Sequence, residues 1–205
     1  MSDPVAAVLV PGRTGRLSGA PGLLVREHVG GRSAILSARR GAAQRVADAA
    51  LTAFGVALPA TPRAVVGGGA TFLWNGPAQW LVELPAGAED IETVLGGPFG
   101  GLAAICEQSD ARIALDLGGP RVRDVLAKGL PIDLHPDSFR SGDVALTGVA
   151  HIGVHLRQIS DAPSYRLAVV RSFFGSFWHW LASSAAEFGC EVAAPEPDRG
   201  GRAGV

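Results

Sequence analysis

The search for chemistry starts with two histidines four residues apart. His151 and His155 lie in the run V-A-H-I-G-V-H-L-R. Strand periodicity puts them on one face with Gly153 and Arg157, and puts Ile152, Val154 and Leu156 on the other. Paired imidazoles begin a metal site, but a third ligand of suitable type is not visible nearby, and Arg157 adds like charge beside any cation. The plainer reading is a polar strand face, either solvated or packed on a partner. Cys106 has the type of a nucleophile, yet a reactive thiol needs a base and an electropositive setting. Its neighbour Glu107 works the other way, so a buried structural thiol is expected. Asp116 has the type of a general base but is one carboxylate without a partner. His28, His135 and His179 are scattered singly. Gly67-Gly68-Gly69 opens no helix and cradles no phosphate, and Gly12, Gly15 and Gly19 follow no strand. Neither a G-x-x-x-x-G-K-[ST] loop nor a G-x-S-x-G elbow occurs. No catalytic, cofactor-binding or metal residue is assigned.

The totals bound the class of chain. It has 205 residues, 47% hydrophobic and 18% charged, with a formal net charge of −1. That balance lacks the concentrated basic surface of a general nucleic-acid binder. Lys128 is the single lysine, and Cys106 and Cys190 are the two cysteines. They make neither a disulfide framework nor a zinc spacing, which fits a reducing cytoplasm. No apolar run approaches the ~20 residues of a membrane span, and the first residues lack the pattern of a signal peptide.

Several elements can be placed from periodicity. Residues 1–21 and 193–205 are rich in Gly and Pro and read as flexible ends, leaving 22–192 as a single α+β domain. Leu23 to Val29, Gly30-Gly31 and Ser33 to Ala38 read as strand, tight turn, strand. A helix follows with Ala43, Val46, Ala47, Ala50, Leu51 and Phe54 on one face, stopped by Gly55. The plan recurs. Leu102 to Gln108, Ser109-Asp110 and Arg112 to Leu117 read as a second hairpin, and a helix carrying Val122, Val125 and Leu126 runs from Gly119-Pro120 to Gly129. The offset is about 79 residues, so 23–101 and 102–189 read as pseudo-repeats. Ala70 to Trp74 pairs with Gln79 to Leu84, and Val144 to Arg157 with Tyr165 to Val170. A short, glycine-broken helix is expected around Asp90 to Leu95. Two tandem ferredoxin-like βα halves forming one domain are the expected architecture.

Ser172 to Phe188 carries more aromatic surface than the rest. Ser172 suits an N-cap, and Phe174, Phe177, Trp178, Leu181, Ala185 and Phe188 make one broad apolar face. Phe173 and Trp180 form a second strip beside it. Either both sides are buried inside the domain, or the extra strip meets another chain. Phe173, Trp180, His151, His155 and Arg157 are therefore the candidate interface residues.

The run Gly119-Pro120-Arg121-Val122-Arg123-Asp124-Val125-Leu126-Ala127-Lys128-Gly129 through Ile132-Asp133-Leu134-His135-Pro136-Asp137-Ser138-Phe139 is similar to the central motif of sarcosine oxidase gamma subunits. Ser109-Asp110-Ala111-Arg112, Arg171-Ser172 through Trp178 and Leu181, Leu58-Pro59 and Gly76-Pro77-Ala78-Gln79-Trp80-Leu81 fit the same pattern. More distantly, the two-unit plan resembles the folate-binding domain of glycine-cleavage aminomethyltransferases. The resemblance implies a gamma chain in a heterotetrameric flavoenzyme with alpha, beta and delta chains. Such an enzyme demethylates sarcosine to glycine, releases hydrogen peroxide and passes the one-carbon unit to tetrahydrofolate. It implies that FAD, FMN, NAD and tetrahydrofolate sit on the partners, and that this chain supports the alpha subunit without a cofactor of its own. The same subunit type also resembles components of related amine-oxidising complexes, such as N-methylglutamate or dimethylglycine systems. The alternative is a stand-alone folate-binding protein of one-carbon metabolism. No folate-binding carboxylate can be matched by position.

Overall fold

The computed structural model describes residues 7–197. In chain order the elements are β1 (Gly12–Thr14), β2 (Leu23–Val29), β3 (Arg32–Ala38), α1 (Ala43–Phe54), β4 (Ala64–Gly67), β5 (Ala70–Gly76), β6 (Gln79–Leu84), α2 (Ile91–Phe99) and β7 (Ala103–Glu107). They continue with β8 (Arg112–Gly118), α3 (Val122–Ala127), β9 (Val144–Val149), β10 (Ile152–Ser160), β11 (Ser164–Val170), a 3-10 turn (Arg171–Phe173), α4 (Phe174–Ala185), β12 (Cys190–Val192) and β13 (Glu196–Pro197). The mixed α+β class is as expected. The chain divides into two compact units: the residues up to Val29 with Asp110–Glu196, and Gly30–Ser109.

The expected hairpins at the two strand links do not form. β2 pairs with β8 and β12, while β3 pairs with β6 and β7. β7 likewise stays in the five-stranded sheet, and β8 lies in the eight-stranded one. Gly30-Gly31 and Ser109-Asp110 thus hand the chain from one sheet to the other. A short polar link between two alternating strands gives the same local signal in either case.

In the Gly30–Ser109 unit the strand order is β4-β5-β6-β3-β7. α1 and α2 supply Val46, Ala50, Phe54, Ile91, Leu95 and Phe99 to a core against Leu36, Phe72 and Val82 of the sheet. Phe54 sits between Phe72 and Phe99, with ring centroids 5.1 and 5.9 Å away. Gly55 ends α1 in the left-handed region at φ 68°, its amide donating to the Leu51 carbonyl, as its type predicts. α2 runs on through Gly96-Gly97 to Phe99, longer than expected, because Leu95 and Phe99 are both buried. Trp80 Nε1 donates to the Pro59 carbonyl at 2.9 Å. That joins two of the segments singled out in the sequence and gives them a structural role.

In the other unit the order is β1-β12-β2-β8-β11-β10-β9, with β13 beside β2. β8 alternates as read: Ile113, Leu115 and Leu117 are buried. They join Leu23, Val25, Leu156, Tyr165, Leu167, Phe177 and Leu181 in one core with α3 and α4. The N-terminal segment is held where its composition suggested a loose end. β1 pairs with β12, and the Val8 and Leu9 amides donate to the buried Glu27 carboxylate at 2.9 and 2.8 Å. Those bonds add to the burial of Leu9 in the core of this unit. At the other end β13 pairs with β2. The remaining terminal stretches, 1–6 and 198–205, lie outside the described residues.

The strand expected from Val144 to Arg157 is two strands. Ala150 and His151 form a two-residue loop between Val149 and Ile152. Both have positive φ, 47° and 69°, the pattern of a type I′ turn that favours Asn-Gly. Neither residue type announces it. His151→Gly should raise stability by about 1 kcal/mol in denaturant unfolding, since a side chain in that region is strained.

Candidate functional site

Two regions of the first unit carry the residues that could act. One is the polar face of the eight-stranded sheet. Register places Arg26 opposite Asp116, Asp116 opposite Arg166, and Arg166 opposite Arg157, across β2, β8, β11 and β10. His28 lies one pleat along from Arg26. Arg166 Nε donates to Asp116 Oδ1 at 2.7 Å and Arg166 Nη2 to Oδ2 at 3.1 Å. His28 Nε2 lies 2.7 Å from the same Oδ2. An ionised carboxylate only accepts, so Nε2 carries the proton and donates. The 3.0 Å approach of Arg166 Nη2 to Nε2 is then two donors crowding one oxygen, not a further bond. Arg26 pairs with Glu196 at 2.6 Å.

Burial by itself pushes the Asp116 carboxyl up. The hydrogen bonds from His28 and Arg166, with the Arg166 charge, outweigh it and hold the group at about 2. It is therefore ionised at neutral pH, with both oxygens engaged. That makes Asp116 a fixed countercharge, not a general base. The sequence showed it alone because its partners come from β2 and β11, and the expected β2–β3 hairpin hid the first of these. His155 and Arg157 are buried on the same face of β10. His151 sits apart from them, exposed in the loop. Among the described residues, no three of His, Cys, Asp or Glu come together as a set that could hold a metal ion. Cys106 is exposed, contrary to expectation. β7 is an edge strand, and Cys106 points to its outer side, away from Ala103. The buried thiol is Cys190, and burial pushes its pKa up.

The second region is α4 and the turn that leads into it. Ser172 does not cap the helix: the 3-10 turn comes first, and Phe173 occupies the N-cap position without a side-chain bond. The turn is anchored by Arg171, whose amide donates to the Ala111 carbonyl at 2.8 Å and whose Nε donates to the Asp110 carbonyl at 2.8 Å. Phe173 is left 55% exposed, beside Val170 at 36%. Phe174, Phe177, Leu181 and Ala185 face the core. Trp180 is half-buried, its ring 5.9 Å from that of Phe177. It lies over Gly129, where an added Cβ would come within 2.7 Å of the indole. Gly129→Ala should therefore destabilise the chain by about 1–3 kcal/mol in thermal or urea unfolding, by forcing α3 and α4 apart.

The same packing explains the motif around α3. Gly129 makes room for Trp180. Asp133 accepts from the His135 amide at 2.8 Å and from the Ser138 hydroxyl at 2.6 Å, closing the loop that buries Leu134 and Phe139. Phe139 stacks on Tyr165, whose hydroxyl accepts from Arg123 Nε at 2.9 Å. These residues shape the fold.

A family model described as "Sarcosine oxidase, gamma subunit family" matches residues 39–187. The chain belongs to the sarcosine oxidase gamma subunit family. The gamma subunit of sarcosine oxidase from Corynebacterium sp. (strain U-96) is 34% identical over 147 residues, covering 69% of this chain and 70% of that protein. A chain of the solved heterotetrameric sarcosine oxidase from Corynebacterium sp. U-96, in complex with pyrrole 2-carboxylate, superposes with TM-score 0.71 at 30% identity. That match covers 83% of this chain and 87% of the other. The glycine cleavage system aminomethyltransferase T from Bartonella henselae matches with TM-score 0.63 at 11% identity, over 85% of this chain and 48% of that one. It shares the fold alone. The matched range takes in both contacts described above, Asp110-Ala111 with Arg171 and Gly129 with Trp180.

Proposed function

We propose that this chain is the gamma subunit of a heterotetrameric sarcosine oxidase and acts by assembly, without chemistry of its own. The match to gamma subunits across two thirds of the sequence, with the fold reproduced, carries the reading. In this reading the partners are alpha, beta and delta chains, with alpha the most direct. FAD, FMN, NAD and tetrahydrofolate are held by those partners, and the assembly works in the cytoplasm. Two features support an assembly role. Asp116 is locked as an ion pair, and Phe173 stands at the surface on a turn anchored by Arg171. An exposed aromatic on a rigid support suits a protein interface. No helix of the described residues is long and apolar enough to cross a membrane.

The test is recovery of the tagged full-length chain from its native cells, followed by visible absorbance. A stoichiometric complex with larger chains that carries flavin absorbance and oxidises sarcosine is the expected result. A colourless chain recovered alone, or a yellow complex inactive on sarcosine, would overturn it. The first of these outcomes would turn attention to folate titration of the isolated chain.

A further inference from the structure

We infer that the free edge of β9 is a docking site for an extended strand of a larger partner chain, which continues the eight-stranded sheet by one strand. This rests on the subunit reading above. β9 ends the strand order of that sheet. Its sequence, Val-Ala-Leu-Thr-Gly-Val, holds six residues with no charge and no proline, and its register with β10 runs without a bulge. At strand rise it offers roughly 20 Å of backbone.

The loop fixes which groups face outward. A two-residue loop at Ala150-His151 makes Val149 and Ile152 a hydrogen-bonded pair. Bonded and non-bonded pairs alternate along an antiparallel ladder. Leu146 and Gly148 are therefore non-bonded with β10, and their amides and carbonyls point to the open edge. Among the described residues, no backbone bond from outside the hairpin reaches either one. The Ala150 amide, by contrast, is taken by the Gly129 carbonyl at 3.3 Å. Leu146 is 47% exposed.

Natural monomers blunt such an edge by shortness, charge, proline or a bulge. The other sheet edges here are blunted. β1 has three residues and contains Arg13, β4 has only four, and β7 ends on Glu107. β9 has none of these devices. Unpaired backbone groups in a row specify the occupant: an extended segment that supplies the complementary ladder. An uncharged edge asks for an uncharged strand, because a charged side chain laid beside Leu146 would lose hydration without a partner. One copy of this chain per assembly is the expectation of the subunit reading, which directs the edge to a different chain and not to a second copy.

Amide hydrogen exchange of residues 144–149 in the free full-length chain and in the purified assembly tests this. Exchange at Leu146 and Gly148 should slow at least tenfold in the assembly. Leu146→Lys and Gly148→Pro should each weaken recovery of the larger chains at least tenfold, with the thermal transition of the free chain unchanged. Gly148 donates its amide outward, so proline there removes no hairpin bond; if that variant misfolds, Leu146→Lys alone decides. An assembly that forms with unchanged exchange at 144–149 overturns the docking site and leaves the subunit reading intact. Absence of any assembly removes both. Slowed exchange in the free chain that tracks its own concentration would show pairing with a second copy, and overturns the proposal.

Discussion

Asp116→Ala should lower the unfolding free energy by about 3 kcal/mol, near the low end of the loss expected when one partner of a buried ion pair is removed, because Asp116 itself is part-buried. The reason is chemical asymmetry. Arg166 cannot shed its proton in a protein, and its side chain is only 7% exposed. Without Asp116 it keeps its charge and loses its bidentate carboxylate. Arg166→Met should be milder, because Asp116 keeps the bond to His28 and a carboxyl can take up a proton. Urea unfolding of the two variants and the double variant measures the coupling directly. Equal losses in both single variants would show that the asymmetry argument is wrong.

The same pair fixes a pH dependence. The Asp116 carboxyl is held at about 2 in the folded chain, below its ordinary value of 3.8. A depressed carboxylate stabilises the fold above the unfolded value, and that contribution fades as pH falls through the folded value. The window is therefore about pH 4 down to about pH 2, and the amount at stake is about 2 kcal/mol. Stability measured across that window should flatten in Asp116→Asn relative to the parent. An unchanged acid limb in the variant would place the titrating group elsewhere.

Elements were legible where the signal is local. The alternation of β8 and the Gly55 stop of α1 follow from side-chain period and from backbone freedom. Pairing was legible across a short local turn, as between Ala70 to Trp74 and Gln79 to Leu84. That of β2, β3, β7 and β8 was not, because there which strand lies beside which is decided by contacts far apart in the chain. Leu23 to Val29 reads identically whether its neighbour is Ser33 to Ala38 or Arg112 to Gly118. The misplaced hairpins then hid the polar row, since His28 and Asp116 meet only when β2 lies beside β8. Glu27 was missed for a related reason. It occupies a core-facing position of β2, and its donors come from the Val8-Leu9 backbone, which no residue type reveals. The Ala150-His151 loop was missed because neither side chain favours the left-handed region it occupies. By contrast, the motif runs around Gly129 and Arg171 pointed to the right segments, although their role is packing.

Phe177→Ala should cost about 3–5 kcal/mol of stability, and Phe173→Ala almost none. Phe177 is fully buried between Phe174 and Trp180, with centroids 6.4 and 5.9 Å away. Truncating it opens a cavity that α4 cannot close, because Gly129 and Trp180 already fix its distance from α3. Phe173 stands four residues earlier and faces outward, so its loss removes little that folding buries. In the proposed assembly the order reverses. Phe173→Ala should leave the thermal transition in place and reduce recovery of the larger chains tenfold or more, the behaviour of an interface anchor. Trp180→Ala falls between them, since half its ring is packed on Gly129 and Phe177. It is thus the ambiguous variant, and Phe173 the informative one. A Phe173→Ala chain that assembles normally would remove this face from the interface, even if the β9 edge holds. A Phe173→Ala chain that unfolds would mean that the turn anchored by Arg171 depends on the ring it displays.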